Sequence, residues 1–317
     1  MNQEIKQNKI SMIFEVIMFL MFVLVTILLF SKLNEDYYIS KAGEENLLYS
    51  YEDKSDVTLQ NKSYVKKIKE EYGINVNYGN DFDSMLERVN AIAQTDEFII
   101  NNNLKILYLA LKKYPSDVFD ITKSKKYPIS IVLVSRFTND NLALASRNSL
   151  NEVRIFVSNN SSFERAFHHE MYHALEYYMS DNKKYIFASW YSLNPPNFKY
   201  ENNVSMLNNE YVYAKDLFSK KLKDGTIYED SLKDDEKTDT SCVDDELYLE
   251  NPYFVTKYSK ASEKEDRAEI FAELMMQEKK EPYLQEGQHI LKKAKLLTNT
   301  LEQNVSNNNF YYNKFLN

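Results

Sequence analysis

At 317 residues, with 44% hydrophobic and 27% charged residues, the chain is long enough for a full core in one large domain or two small ones. A formal net charge of −8 argues against nonspecific nucleic-acid binding, which needs a basic surface. A single cysteine, Cys242, excludes an intrachain disulfide and a cysteine-based zinc cluster, and with only 5 glycines a Gly-rich phosphate loop is not expected.

Residues 1–9 are polar and carry Lys6 and Lys9; they read as a cytoplasmic tip. An apolar run from Ile10 to Phe30 follows, and its part Val16–Phe30 is uncharged. As a helix it is long enough to cross ~30 Å of hydrocarbon. It ends in FSKLNEDYY, without an A-x-A-like cleavage site. Residues 10–31 are therefore expected to be an uncleaved signal anchor, with secretion after signal-peptide cleavage as the alternative. Lysines before the span, and Glu35 and Asp36 after it, predict a single-pass cell-membrane protein with its bulk outside the cell. Residues 32–60 are polar and aperiodic and read as a stalk, which leaves 61–310 as the folded domain.

Within that domain a short helix is expected at Tyr64–Tyr72, ending at Gly73, with INVNYG as a strand after it. Apolar residues at helical spacing predict helices over Asp83–Ala93 and Asn102–Tyr114, the second ended by Tyr114-Pro115. The β-branched run Ile129–Val134 predicts a buried strand, and Asn141–Ser146 and Glu152–Ser158 two more. Ser161 and Glu164 then form a capping-box pattern that starts a helix near Ser162.

That helix carries His169-Glu170-Met171-Tyr172-His173, an H-E-x-x-H sequence. Positions i and i+4 lie one turn apart on one helix face, so both imidazoles can point at one metal ion. The intervening glutamate then lies where it can take a proton from water. Only four histidines occur in the chain, and three of them fall in this stretch. The third, His168, is off the ligand spacing and reads as a neighbour. Two histidines call for a third protein ligand, with a fourth position left for water.

After the motif, Ser189–Tyr200 reads as an ordered aromatic loop, with Trp190 and Pro195-Pro196. Tyr211–Leu222 is expected to be helical, and the acidic stretch Asp224–Glu250 a solvated loop, with calcium binding there as the alternative. Lys264–Lys279 predicts an amphipathic helix with Glu265, Glu269 and Glu273 in a row along its side. One of these is expected to supply the third ligand; Cys242 and His289 are the alternatives, and neither has a motif around it. Gln285–Leu301 predicts a last amphipathic helix.

At these two helices the chain resembles the gluzincin metallopeptidases, in particular the peptidase domain of anthrax lethal factor and its clostridial relatives, which include the Pro-Pro endopeptidases. The family's A-E-[FI]-F-A-E pattern stands here as Ala268-Glu269-Ile270-Phe271-Ala272-Glu273. The resemblance implies zinc held by His169, His173 and Glu269, with a register shifted to Glu265 as the alternative. It implies Glu170 as the general base. A tyrosine before the second helix would face the metal: Tyr258, with Tyr253 in reserve. Asp266 or Glu273 would orient a ligand histidine through its other ring nitrogen. Tyr172 stands where the family has Gly, and the gap from His173 to Glu269 is longer than in lethal factor.

The expected fold is therefore α+β and zincin-like: a small mixed sheet on an active-site helix, with a helical C-terminal part, behind a transmembrane helix. The expected function is a membrane-anchored, extracellular zinc endopeptidase acting on protein or peptide substrates, with Zn2+ as cofactor and no nucleic-acid partner. An edge strand, Asn141–Ser146 or Glu152–Ser158, would align an extended substrate. The alternative is a surface binding or adhesion module with a structural metal on the same scaffold.

Overall fold

A computed structural model describes residues 54–80, 83–123, 127–139, 141–148, 151–181, 187, 189–201, 251–306 and 310–316. Two compact units divide the chain, Met1–Asp56 and Val57–Asn317. The first is described only from residue 54, so the expected span at 10–31 lies outside the described residues, as do Tyr211–Leu222 and Asp224–Glu250 with Cys242. Among the described residues no helix is long and apolar enough to cross a membrane.

The described elements mix helices with one small sheet, an α+β arrangement. Helix α1 spans Lys54–Tyr72 and so starts ten residues before the expected Tyr64. Its first half looks polar in sequence because one residue of its inner face is Asn61, which is fully buried. Asn61 donates to the Glu97 backbone oxygen at 2.9 Å and accepts from Asn101 at 2.8 Å, so a hydrogen-bonded pair stands where apolar periodicity would show. Gly73 ends α1 with φ +71, a left-handed conformation, and a Cβ there would come 2.6 Å from the Lys123 side chain.

Strand β1 (Asn75–Asn77) follows. The helix expected over Asp83–Ala93 is split into α2 (Asp83–Arg88) and β2 (Ala91–Ala93), with Asn90 at φ 57 between them. Helix α3 (Glu97–Leu111) starts five residues before the expected Asn102, because the Asp96 side chain caps it by accepting from the backbone of Phe98 and Ile99. A short α4 (Val118–Lys123) precedes the sheet.

The sheet is completed by β3 (Ile129–Phe137), β4 (Ala143–Arg147) and β5 (Val153–Ser158). Its order is β1-β3-β5-β4, with β2 paired to the later half of β3. β1, β3 and β5 run parallel; β2 and β4 run antiparallel to their neighbours. Alternation along β3 and β5 sends Ile131, Leu133, Ile155 and Val157 into the main helical core. It sends Val132, Val134 and Phe156 into a smaller core with Leu86 of α2. Both faces of the central strands are buried, which is why the run at Ile129 reads as continuously apolar.

Helix α5 (Phe163–Asp181) leaves β5 through a short turn and buries Phe167, Met171 and Leu175 in the main core. Glu164, expected to cap the start of this helix, pairs instead with Lys113 at 2.7 Å. At the turn itself Asn160 accepts from the Ser162 backbone at 2.7 Å. Helix α6 (Glu263–Met276) packs on α5 and is capped by Ser262, which accepts from Glu265 N. Helix α7 (His289–Asn304) and a last turn, α8 (Asn313–Leu316), close the chain. Tyr172 of α5 and Phe271 of α6 meet at 5.5 Å between ring centres, with Tyr114 and Phe310 around Phe271. This aromatic layer fixes α6 against α5 and so sets which side of α6 faces the histidines.

Candidate metal centre

His169 and His173 stand one turn apart on α5 and turn the same ring nitrogen to the same point: the two Nε2 atoms are 3.2 Å apart. Glu265, in the first turn of α6, brings one oxygen, Oε2, 2.9 Å from Nε2 of His169 and 3.4 Å from Nε2 of His173. Among the described residues these three form the group whose donor atoms all lie within 4.8 Å of one another. The size of the triangle tests its fit to zinc. Tetrahedral ligands at Zn–N and Zn–O distances of 2.0–2.2 Å sit roughly 3.3 Å from each other. The observed edges of 2.9, 3.2 and 3.4 Å match one face of such a tetrahedron. Two imidazoles and a carboxylate are also the donor types zinc takes at reactive sites.

Glu269, the ligand implied by the sequence pattern, lies on the other side of the His169 ring. Its Oε1 is 2.7 Å from Nδ1 of His169. Arg165 grips both its oxygens, at 3.1 and 2.7 Å, and the Thr256 hydroxyl donates to Oε2 at 2.8 Å. An acceptor so placed holds a proton on Nδ1 and leaves Nε2, which faces Glu265 and His173, as the nitrogen a metal would take once its proton is displaced. The alternative register, with Glu265 in the ligand position and Glu269 behind it, is the one the geometry supports.

His173 is backed in a related way. Its Nδ1 lies 3.8 Å from Glu176, which Arg267 of α6 holds at 2.8 and 2.9 Å. The two braces are reciprocal. In one, α6 supplies the carboxylate and α5 the guanidinium; in the other the roles are exchanged. Sequence reasoning missed Arg165, Glu176 and Arg267. The available signal was scarcity: the chain has six arginines against 33 lysines, and two of the six stand beside the histidines and glutamates of these helices. A rigid two-pronged donor fixes the orientation of a carboxylate, which the point charge of a lysine does not.

Glu170 is buried, and its Oε2 accepts from the Ala145 backbone N–H of β4 at 2.6 Å. Tyr258, in a 3-10 turn before α6, sets its ring 5.9 Å from that of His169. Tyr253 instead stacks on His289 at 3.6 Å, outside the donor group. Glu273 accepts from Tyr283 and Gln277 and lies 3.9 Å from Arg165, so it touches the guanidinium and not a ring. Asp266 is one residue past Glu265 and therefore about 100° round the helix. There it is fully buried and accepts from Lys293 at 2.7 Å, Tyr200 at 2.8 Å and Trp190 at 3.0 Å. It ties the aromatic loop and α7 to the back of α6.

Electrostatics follow from this packing. Burial pushes both imidazoles of the donor group down, but Glu265 and Glu269 outweigh it at His169, which rises to about 10. Glu176 and Glu265 do the same at His173, which rises to about 9. Burial pushes the Glu265 carboxyl up, yet the two rings hold it below the usual carboxylate range. Metal binding must displace ring protons, so affinity falls as pH falls. Burial raises Glu170, against the two imidazoles, toward the range of a useful base.

His168 has a different task. It is fully buried, its Nδ1 2.7 Å from the Tyr114 hydroxyl, and burial pushes it down to about 4. Its folded value lies below the unfolded value near 6.5, so its stabilising contribution is whole above pH 6.5 and is lost as pH falls toward 4. The difference corresponds to about 3 kcal/mol. Urea unfolding of the metal-free protein should therefore lose stability between pH 7 and pH 4 more steeply, by about that amount, than His168→Gln does. Equal slopes would show that His168 takes up its proton in the fold as readily as in the unfolded chain.

The fold and site thus define an α+β domain with a two-histidine, one-carboxylate donor group between two helices. No protein-family model matches the chain, and no curated protein matches it. A solved structure described as a "putative zinc-binding metallo-peptidase" from Bacteroides caccae is similar over 80% of this chain and 84% of that one, at 13% identity and a TM-score of 0.38. That likeness is too distant to transfer a function.

Proposed function

We propose that the chain is a zinc-dependent endopeptidase of the gluzincin type, with His169, His173 and Glu265 as metal ligands. The observation that carries this is the donor triangle of zinc-like size, with Glu170 of the same motif beside it. A zinc ion bound there supplies a Lewis acid that polarises a peptide carbonyl and makes a water acidic near neutral pH. Glu170 takes the proton from the attacking water and passes it to the leaving amine. The hydroxyl of Tyr258, whose ring lies 5.9 Å from that of His169, donates to the developing oxyanion. Glu269 with Arg165, and Glu176 with Arg267, keep the two rings facing inward. β4 pairs with no strand on its outer side among the described residues, so an extended substrate has an edge to join.

Anchoring at residues 10–31, with the domain outside the cell, rests on the apolar run and its flanking charges; protection of the domain from protease added to intact cells would overturn it. The activity is tested on the purified full-length chain by metal analysis and a peptide library. One zinc per chain, absent in His169→Ala, and hydrolysis that stops with a chelator and returns with zinc are expected. A chain that holds no zinc, or hydrolysis indifferent to chelation, sinks the proposal.

A further inference from the structure

Antiparallel strands alternate residues that bond across the ladder with residues whose backbone groups face outward. β4 follows this rule. Ser158 N–H bonds the Leu142 oxygen at 3.0 Å and Asn148 N–H bonds the Glu152 oxygen at 2.9 Å. Even-numbered positions therefore face β5, and Ala143, Ala145 and Arg147 turn their N–H groups to the outer edge. Of these, Ala145 donates to Glu170 at 2.6 Å, a short bond to a charged acceptor. Among the described residues it is the sole hydrogen bond of that carboxylate.

We propose that the backbone N–H of Ala145 is the positioning group for the base; this rests on the peptidase reading of the site. A glutamate side chain has three rotatable bonds and no preferred direction of its own. Fixing Oε2 on the edge strand removes that freedom and leaves Oε1 as the atom that takes the proton. The strand that aligns the substrate thereby also aims the base, so the distance between the two is set by one rigid element. Its central outward donor is committed to Glu170, and an added strand pairs through its neighbours.

Proline deletes an N–H and is tolerated where that N–H faces away from the ladder. Ala145→Pro removes the bond to Glu170. Ala143→Pro removes the adjacent outward N–H without touching Glu170, and so serves as the matched control. The full-length zinc-loaded chain is assayed on a peptide the wild type cleaves. Zinc content should be equal in all three proteins, and KM should rise in Ala143→Pro, whose N–H an added strand would use, and not in Ala145→Pro, whose N–H is committed to Glu170. Only Ala145→Pro should lose kcat, by about 100-fold, as a misplaced catalytic group does.

A second measurement needs neither turnover nor a folded proline variant. In the metal-free 15N-labelled protein, Glu170→Gln should move the Ala145 amide proton upfield and leave that of Ala143 in place. Equal kcat losses in the two proline variants, or an Ala145 amide indifferent to Glu170→Gln, overturns the proposal. A wild type that cleaves no peptide overturns the peptidase reading and this role with it, a failure distinguished by the missing wild-type rate.

Discussion

Glu170→Gln should lower kcat by about 10³-fold and leave the zinc in place. The substitution keeps the volume of the side chain and an oxygen to accept from Ala145 N–H, so the surroundings need not move. What it removes is a group that can take a proton. General-base catalysis contributes roughly 10²–10⁴-fold, and a residue that serves first as base and then as acid is placed toward the top of that range. Glu170 is outside the donor triangle, so metal content should not change. Steady-state kinetics and metal analysis on the same preparation check both halves. Undiminished turnover would remove Glu170 from the mechanism. Loss of zinc together with activity would place it in the metal site instead.

The comparison of Glu265→Ala with Glu269→Ala decides between the geometric and the pattern-based ligand. Glu265 offers the oxygen that closes the triangle with the two Nε2 atoms, so its removal should weaken zinc binding by more than about 100-fold. Glu269 only orients His169, through Nδ1, and losing such a partner costs roughly 10–100-fold in affinity. Glu269→Ala should also show a second effect in the metal-free protein, the loss of its Arg165 pair. Arg165, partly buried, grips the buried Glu269 through both oxygens, and removing one partner of such a pair destabilises by about 3 kcal/mol, the lower end for buried pairs. Zinc affinity from chelator competition, and urea unfolding of the metal-free protein, give the two readouts. The reverse order of zinc losses would return the ligand role to Glu269.

Much of this site can be read from the chain itself. The i, i+4 histidines and the intervening glutamate are local, since one helix fixes their relation. The buried strands at Ile129 and Val153 are legible too, because both faces of the sheet are covered and the apolar runs are unbroken. The start of α1 was not legible, because a buried Asn61–Asn101 pair replaces apolar periodicity there. Nor was the split of Asp83–Ala93 into helix and strand, since Ala91–Ala93 is drawn into strand pairing by β3 and not by its own preference.

The α6 carboxylate of the donor group shows where sequence stops. Glu265, Glu269 and Glu273 are spaced by one helical turn and share a side of the helix. Nothing local distinguishes them; sliding α6 by about 6 Å along its axis would exchange their roles. The sequence determined that a histidine pair with a base would exist, and that a row of carboxylates was available to complete it. Only the tertiary structure decided which carboxylate does so. The contact of Phe271 with Tyr172 and the anchoring of Asp266 by Lys293, Tyr200 and Trp190 set the height and rotation of α6 against α5. That height brings Glu265 to Nε2 and Glu269 to Nδ1, because the two faces of one imidazole ask for carboxylates a turn apart.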